Sequence, residues 1–401
     1  MGVKNILKIA AVLMTLSLVS CGSMDENETS GNKKSELKFQ KVYVGDGEYT
    51  IRSVFIAENG DSYCMRTSYN TFPNPEETKI KDVYYSESSA YPFMFILFED
   101  GTLKSYGNSN SRGELGKNTG NDYVLKDVLY ADTGYIHAGA LTQDGSLYMW
   151  GGNSNEFYYA YGMVGNGTKD DVETPCKVLS DVAQFDIHDY SSAAVTNSGE
   201  LYIWGESYDA GYKGGADILS PQKILDNIKA VKLGEKVNYA LANDGTLYQW
   251  RSGNGEEPYN VTNAGYEGTI VELGSDSALS DNGTLYCYDI SNGQLSKKLD
   301  NVTEWKCGAD TWFALTLDGT LYSWGKNGNG NLGTGMGFTE KTDEPQKVLE
   351  HIVSADVCEE CAGAVDKDGN LYMWGIIPVQ FGDGTHGDCY KLPVKIEPEY
   401  S

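Results

Sequence analysis

The sequence predicts an all-β fold, a β-propeller of seven or eight blades. Eight similar hairpin segments recur along the chain, each built around one turn glycine: Gly60, Gly101, Gly145, Gly199, Gly245, Gly283, Gly319 and Gly369. Successive turn glycines lie 36 to 54 residues apart, which is the length of one propeller blade. The 47 Gly and 29 Tyr among 401 residues favour short strands joined by tight turns. Counting the hairpins alone favours eight blades.

Each hairpin combines a tight turn with two apolar strands. The clearest copies are residues 140–151 and 314–325, where Asp-Gly separates Ala-Leu-Thr from Leu-Tyr-x-Trp-Gly. Glycine at this turn adopts the positive φ that a short hairpin requires, because it has no Cβ to clash. Consecutive apolar residues are expected in these strands, since neighbouring blades cover both faces of each sheet.

A short strand with the pattern Pro-x-Lys also recurs. It occupies residues 175–178, 221–224, 345–348 and 393–396. No hairpin follows the last copy, so we expect residues 393–396 to pair with the first blade. This pairing would close the ring without leaving an open sheet edge.

Together these patterns resemble the RCC1-like (regulator of chromosome condensation) repeat family. The chain keeps its Gly-x-x-His element at Gly134 and His137, and its Asn-x-x-Gly-x-Leu-Gly loop at residues 110–116 and 327–333. The resemblance covers roughly residues 40–397 and implies a β-propeller. Members of the family usually have seven blades, so the count of seven or eight stays open.

The N-terminus resembles a bacterial lipoprotein signal peptide over residues 1–20. Lys4 and Lys8 precede an apolar run of 11 residues, 9–19, which is about half of the ~20 residues that a membrane-spanning helix needs. The sequence Leu-Val-Ser-Cys at 18–21 resembles a lipobox, which predicts lipidation of Cys21 and a lipid anchor on the outer side of the cell membrane. An ordinary signal peptide with an incidental cysteine is the alternative. Residues 21–37 are predicted to be a flexible, lipid-anchored tether, and residues 38–401 the propeller.

The charge of the chain limits its partners. The full chain has a formal charge of −26, and removal of Lys4 and Lys8 with the signal peptide makes this −28. Such a surface repels nucleic acid and anionic lipid, so we expect no nucleic-acid partner and membrane contact only through the lipid. The family's namesake exchanges nucleotide on a small GTPase and contacts chromatin. We expect neither partner for an exported lipoprotein.

The sequence predicts no catalytic residue, cofactor or metal site. The Gly-x-Gly-x-x-Gly match at 328–333 lies in a repeat loop, and not between a strand and a helix. The Ser-x-x-Lys match at 220–223 lies on a Pro-x-Lys strand, and the calcium-loop-like residues 366–370 coincide with a hairpin turn. We therefore predict a binding protein and no enzyme. A hydrolase or redox enzyme with a site distributed over several blade loops remains an alternative.

Two cysteines replace a repeat element. Alignment on the turn glycines puts Cys358 at the Gly position and Cys361 at the His position of Gly-x-x-His. A local disulfide or a pair of reduced thiols is expected there. The two intervening glutamates oppose the stabilised thiolate of a redox motif.

The candidate binding face consists of the loops that follow Tyr-x-Trp-Gly, because these all emerge on one side of a propeller. Two of them are long and rich in tyrosine. The candidate residues are Phe157, Tyr158, Tyr159, Tyr161, Tyr208, Tyr212, Asn327 and Asn329. Exposed tyrosines suit protein interfaces and sugar stacking alike. The sequence predicts an unknown extracellular protein partner, with a carbohydrate-binding accessory lipoprotein as an alternative. The tyrosines could equally pack down as a lid over the blades.

Overall fold

The strands are short and the turns tight, as the alternation of β-forming residues and turn glycines requires. A computed structural model describes residues 14–17, 19–20, 38–45, 51–66, 79–86, 93–107, 110–116, 123–155, 160–206, 217–251, 257–262, 265–308, 310–377 and 389–399. These residues form eight blades, which confirms the larger of the two blade counts. Six blades have four strands, blade 8 has five, and blade 2 has three.

The blades follow one another along the chain, each with its innermost strand first, except that the outer strand of blade 1 precedes the rest of that blade. Blade 1 comprises Phe39–Val44, Ile51–Ala57, Ser62–Arg66 and Val19–Ser20, and blade 2 comprises Ile80–Tyr85, Phe93–Phe98 and Leu103–Gly107. Blade 3 comprises Val128–Thr133, His137–Thr142, Leu147–Gly151 and Val172–Leu179, and blade 4 comprises Val182–His188, Ser191–Thr196, Leu201–Gly205 and Ile218–Leu225. Blade 5 comprises Ile228–Lys232, Val237–Ala242, Leu247–Arg251 and Tyr259–Asn260, and blade 6 comprises Ile270–Gly274, Ser277–Ser280, Leu285–Asp289 and Gln294–Leu299. Blade 7 comprises Val302–Gly308, Thr311–Thr316, Leu321–Lys326 and Lys341–Leu349, and blade 8 comprises Ile352–Val357, Cys361–Asp366, Leu371–Ile376 and Cys389–Glu399.

The fifth strand of blade 8 is Met14–Ser17, which runs parallel to Cys389–Glu399 at the edge of the sheet. A separate pair of short strands, Ser154–Asn155 and Ala160–Tyr161, lies in the loop of blade 3. The predicted signal peptide thus includes the two strand segments Met14–Ser17 and Val19–Ser20. Its cleavage, which would remove both segments, stays a prediction. Among the described residues no helix is long and apolar enough to cross a membrane.

All eight predicted hairpins are confirmed. Each turn glycine has a positive φ, for example 77° at Gly145 and 78° at Gly319. The Gly145 amide donates to the Thr142 carbonyl over 2.9 Å, and Gly319 donates to Thr316 over 2.8 Å. The hairpins join the second and third strands of every blade.

The Pro-x-Lys segments form the outer strands of blades 3, 4, 7 and 8. The prediction that residues 393–396 pair with the first blade is therefore wrong. They pair with Leu371–Ile376 of their own blade, opposite Met373 and its neighbours. The repeat pattern in the sequence has no fixed starting point, so it could not show that this strand ends a blade instead of beginning the next one.

The ring closes by packing of blade 8 against blade 1. One buried cluster joins Phe39, Val42 and Phe55 of blade 1 to Cys361 and Met373 of blade 8. The Phe39 amide also donates to the Gly369 carbonyl over 3.0 Å. Side-chain burial and hydrogen bonds across the seam thus replace the strand exchange that the sequence suggested.

Candidate functional site: the Trp-Gly face and the central channel

The two faces of the propeller differ in their loops. On the Asp-Gly face, defined by the eight hairpin turns, four residues separate the strands in every blade, as at 143–146 in blade 3. On the Trp-Gly face, defined by the loops after the third strands, the connections reach 20 residues in blade 3 (152–171) and 14 in blade 7 (327–340). Loops that vary on a uniform scaffold commonly carry the function of a fold. The Trp-Gly face is therefore the candidate functional surface.

Buried asparagines hold the Trp-Gly loops in shape. Asn327 is 1% exposed; its amide donates to the Met336 and Gly337 carbonyls, each over 3.1 Å, and its oxygen accepts the Leu332 amide over 3.1 Å. The prediction that Asn327 contacts a partner is therefore wrong, because all its polar atoms serve the loop. Asn153 braces the loop of blade 3 in the same way.

These loops also anchor the tryptophans of the following blades. The Trp150 indole donates to Glu114, and Trp374 donates to Asn331 over 2.8 Å, each bond joining one blade to the loop of the blade before it. Trp204 likewise donates to the Met163 carbonyl over 3.0 Å. The Tyr-x-Trp slot is therefore structural, as the repeat pattern predicts.

The pair Cys358 and Cys361 takes the place of Gly-x-x-His, as predicted. The Cys358 amide donates to the Cys361 carbonyl over 2.9 Å, and Gly134 makes the same bond to His137. The sulfur atoms lie 3.3 Å apart without a covalent bond, and the disulfide stays a prediction. Asn329, which is half-buried, donates to the Glu359 carbonyl over 3.1 Å and so ties this turn to the loop of blade 7.

Tyr161 is the one predicted aromatic residue of this face that lies within the described part of the chain. It is half-buried, and the Lys169 ammonium lies 3.9 Å from the centroid of its ring. Phe157, Tyr158, Tyr159, Tyr208 and Tyr212 lie outside the described residues, as does Cys21. Their predicted roles stay predictions.

The central channel opens on the Trp-Gly face as a cavity of about 700 Å³. The ends of the inner strands and the turns after them form its wall, with contributions from all eight blades. Trp305 and Trp312 both line it, and Trp312 stacks on Trp324 with their ring centroids 5.9 Å apart. These are the two of the seven tryptophans outside the repeat slot. Their departure from the repeat pattern is visible in the sequence and could have indicated the channel mouth, but these two residues are not among the candidate site residues predicted from the sequence.

Charged residues at the channel mouth are linked in a network. Lys236 lies 3.4 Å from Asp310 and 3.9 Å from Asp276, joining blades 5, 6 and 7. Lys306 of blade 7 lies 2.9 Å from Asp356 of blade 8. The lysines of this wall are thus engaged with carboxylates of neighbouring blades.

Side chains at two equivalent positions of the innermost strands form hydrogen bonds between successive blades. The carboxylates of Asp132, Asp186 and Asp356 accept backbone amides of the next blade, from Ile187, Leu233 and Val44, over 2.8, 2.7 and 2.9 Å. Two residues earlier, Tyr130, Gln184 and Ser354 also accept amides of the next blade. The junction that closes the ring therefore has the same pair of bonds as two junctions inside it.

Burial changes the pKa of Asp132 and of His137, which also links two blades. It raises the pKa of Asp132 above the usual carboxyl range, against the opposing effect of Lys232, and the nearby Asp186 raises it further. Burial also lowers the pKa of His137 to about 3, so this imidazole is neutral. Its Nε2 lies 3.0 Å from the Ser192 hydroxyl of blade 4, which makes His137 a link between blades.

Within the described ranges no group of three or more His, Cys, Asp or Glu side chains is arranged to hold a metal ion. The channel mouth thus combines aromatic and charged side chains, and the long loops of the Trp-Gly face surround it.

Comparison with known proteins agrees with this architecture. The family model for the regulator of chromosome condensation (RCC1) repeat matches residues 318–364, which run from the hairpin turn of blade 7 into the second strand of blade 8. With eight blades of the same repeat, the chain is an RCC1-like β-propeller.

Its relatives are larger or distant proteins. The human E3 ubiquitin-protein ligase HERC2 is 26% identical over 263 residues, 62% of this chain and 4% of HERC2. The mitochondrial RCC1 domain-containing protein RUG3 of Arabidopsis thaliana is 26% identical over 60% of this chain and 52% of its own length. The chain therefore spans about half or less of these relatives.

A solved structure of Prp20p from Saccharomyces cerevisiae superposes with a TM-score of 0.54 at 19% identity, covering 90% of this chain and 86% of Prp20p. That likeness shows the fold alone. The propeller scaffold is one that suits protein–protein interaction.

Proposed function

We propose that this chain is a lipid-anchored bacterial surface protein that binds an extracellular protein through its Trp-Gly face. The observation that carries the proposal is the asymmetry of the two faces. Four-residue connections on the Asp-Gly face leave little room for variation, whereas connections of up to 20 residues on the Trp-Gly face surround the channel mouth.

The point where the propeller begins supports this orientation. The Phe39 amide donates to the Gly369 carbonyl of one hairpin turn, and the Lys38 carbonyl accepts the Glu58 amide of another. The innermost strand of blade 1 therefore begins on the Asp-Gly face. A tether ending at residue 37 would hold that face toward the membrane. The Trp-Gly face would then point toward the medium.

The same proposal assigns no catalytic activity, no cofactor, no nucleic acid and no small GTPase to the chain. Prp20p is described by its binding properties to Gsp1p and histones. For this chain the charge of −26 and the predicted export favour a different, extracellular protein.

The test is affinity capture from native cell-surface and medium fractions with three forms of the protein. The wild type is compared with a variant in which Tyr158, Tyr159 and Tyr161 are changed to Ala, and with Leu317→Ala. Leu317 is 80% exposed in a turn of the Asp-Gly face, so its truncation removes surface area without opening the core.

We expect the tyrosine variant to bind the captured protein at least about tenfold more weakly, because aromatic anchors typically contribute ~2 kcal/mol or more to an interface. Leu317→Ala should bind like the wild type. Normal binding by the folded tyrosine variant together with loss in Leu317→Ala would place the interface on the opposite face. Capture of a glycan and no protein would favour the carbohydrate-binding alternative.

A further inference from the structure

A second cavity opens in the wall of the central channel where blades 6, 7 and 8 meet. It has a volume of about 250 Å³ and shares Glu272 and Trp305 with the cavity at the channel mouth. We call it the side pocket. Ligand sites for drug-sized molecules begin at about 300 Å³, so this pocket is of a size for one side chain or a small molecule.

The floor of the side pocket is apolar. Phe313 is 2% exposed and Leu315 is 8% exposed, both on the second strand of blade 7, and Ala355 of blade 8 faces them. At the position of Ala355 in their inner strands, blades 4 and 7 carry Phe185 and Trp305, whereas blade 3 also carries an alanine, Ala131. The small methyl side chain of Ala355 therefore leaves space that a larger residue would fill.

The rim of the side pocket is acidic. Glu272 and Glu304 occupy the strand position at which Tyr130, Gln184 and Ser354 bond to the next blade elsewhere in the ring. Within the described part of the chain, neither glutamate side chain makes a hydrogen bond or an ion pair. Both glutamates are exposed to solvent, and partial burial together with the charge of the nearby Glu304 raises the pKa of Glu272.

The one lysine of this rim, Lys306, has its ion-pair partner outside the rim, although, against the lowering effect of burial, the charge of Glu304 also raises its pKa. The Lys306 ammonium lies 2.9 Å from the Asp356 carboxylate. A guest with a positive charge would therefore meet two carboxylates without an ion-pair partner and the indole of Trp305, which favours cations over its face. An anion would meet like charges.

We propose that the side pocket binds an organic cation on a short apolar stem, an ammonium or guanidinium group. The stem packs on Phe313, Leu315 and Ala355, and the charge lies between Glu272 and Glu304. Two sources share this chemistry: a Lys or Arg side chain projecting from the protein partner, which rests on the proposed function, and a free amine or guanidine.

The test uses n-butylguanidinium as the probe and uncharged n-butylurea as its match in shape, with binding to the full chain followed by ligand-observed NMR. The charge variant is Glu272→Gln with Glu304→Gln, and the shape variant is Ala355→Leu. The matched control is Glu58→Gln with Glu99→Gln, which removes the same charge from exposed turns of the Asp-Gly face. Thermal unfolding reports whether each variant folds.

We expect the wild type and the control to bind n-butylguanidinium equally, and the charge and shape variants to bind at least about tenfold more weakly. n-Butylurea should bind the wild type at least about tenfold more weakly than the cation. The proposal would be overturned if the charge variant bound n-butylguanidinium as tightly as the wild type does. It would also be overturned if the wild type bound n-butylguanidinium and n-butylurea equally. If Ala355→Leu fails to fold, the charge variant still decides.

A blocked tripeptide, acetyl-Gly-Arg-Gly-amide, separates the two sources. Binding of the peptide with the same dependence on Glu272 and Glu304 supports a side chain of a partner as the guest. Binding of n-butylguanidinium alone supports a free cation. Failure of both probes overturns the side pocket as a cation site and leaves partner capture by the Trp-Gly loops standing, so the two proposals fail separately.

Discussion

Asp356 is the residue whose loss tests the closure of the ring most sharply. Its Oδ2 accepts the Val44 amide of blade 1 over 2.9 Å, and its Oδ1 lies 2.9 Å from the Lys306 ammonium of blade 7. Asp356→Ala leaves the buried Val44 N–H without its acceptor, which costs about 1–3 kcal/mol. Half of the Lys306 side chain is exposed, so the lost ion pair adds only about 0–1 kcal/mol. We expect the free energy of unfolding to fall by about 1–4 kcal/mol.

The assay is guanidinium unfolding of three variants beside the wild type. Asp356→Asn keeps an oxygen that can accept the Val44 amide, and should lose no more than about 1 kcal/mol. Asp186→Ala breaks the equivalent bond to Leu233 inside the ring and should resemble Asp356→Ala. A loss below about 0.5 kcal/mol in Asp356→Ala, or an equal loss in the Asn variant, would refute the bond to the Val44 amide as a determinant of closure.

Three further predictions follow from the described contacts and the N-terminal sequence. Because the pKa of Asp132 is raised in the folded protein, its contribution to stability is present below its unfolded pKa of about 4 and falls as the pH rises. Asp132→Asn should therefore raise the thermal midpoint relative to wild type more at pH 8 than at pH 4. Equal shifts of the midpoint at both pH values would argue against this. Truncation after Asp388 removes the outer strand of blade 8, including Ile396 of the seam cluster, and should lower the thermal midpoint markedly, which an unchanged melting curve would contradict. Cys21→Ser should release the protein from membranes or block its maturation, and unchanged detergent partitioning would refute the lipid anchor.

The repeat fold could be predicted because its signals are local. A hairpin turn needs glycine at positive φ, so Gly145 and Gly319 mark their blades in the sequence whatever surrounds them. The equivalence of the Cys358–Cys361 turn with Gly134–His137 could be predicted for the same reason, since alignment on these glycines preserves position within a blade.

The ring closure and the channel could not be predicted in this way, because they depend on contacts between distant segments. Nothing near Pro393 in the sequence shows which sheet its strand joins, and the Asp356–Val44 bond joins residues 312 positions apart. Asn327 was misassigned because an asparagine that braces its own loop and one that meets a partner look alike in sequence. Trp305 and Trp312 were available as exceptions to the repeat, but only the ring brings them to one channel mouth.

The interface on the Trp-Gly face is the central claim, and a hydrogen–deuterium exchange footprint of the propeller with its captured partner tests it most directly. The account predicts slowed amide exchange on binding in residues 327–337 of the blade 7 loop and in residues 357–361 at the channel mouth, with no change in the turns 99–101, 143–145 and 317–319. Protection of those three turns, with exchange unchanged around the channel mouth, would contradict it.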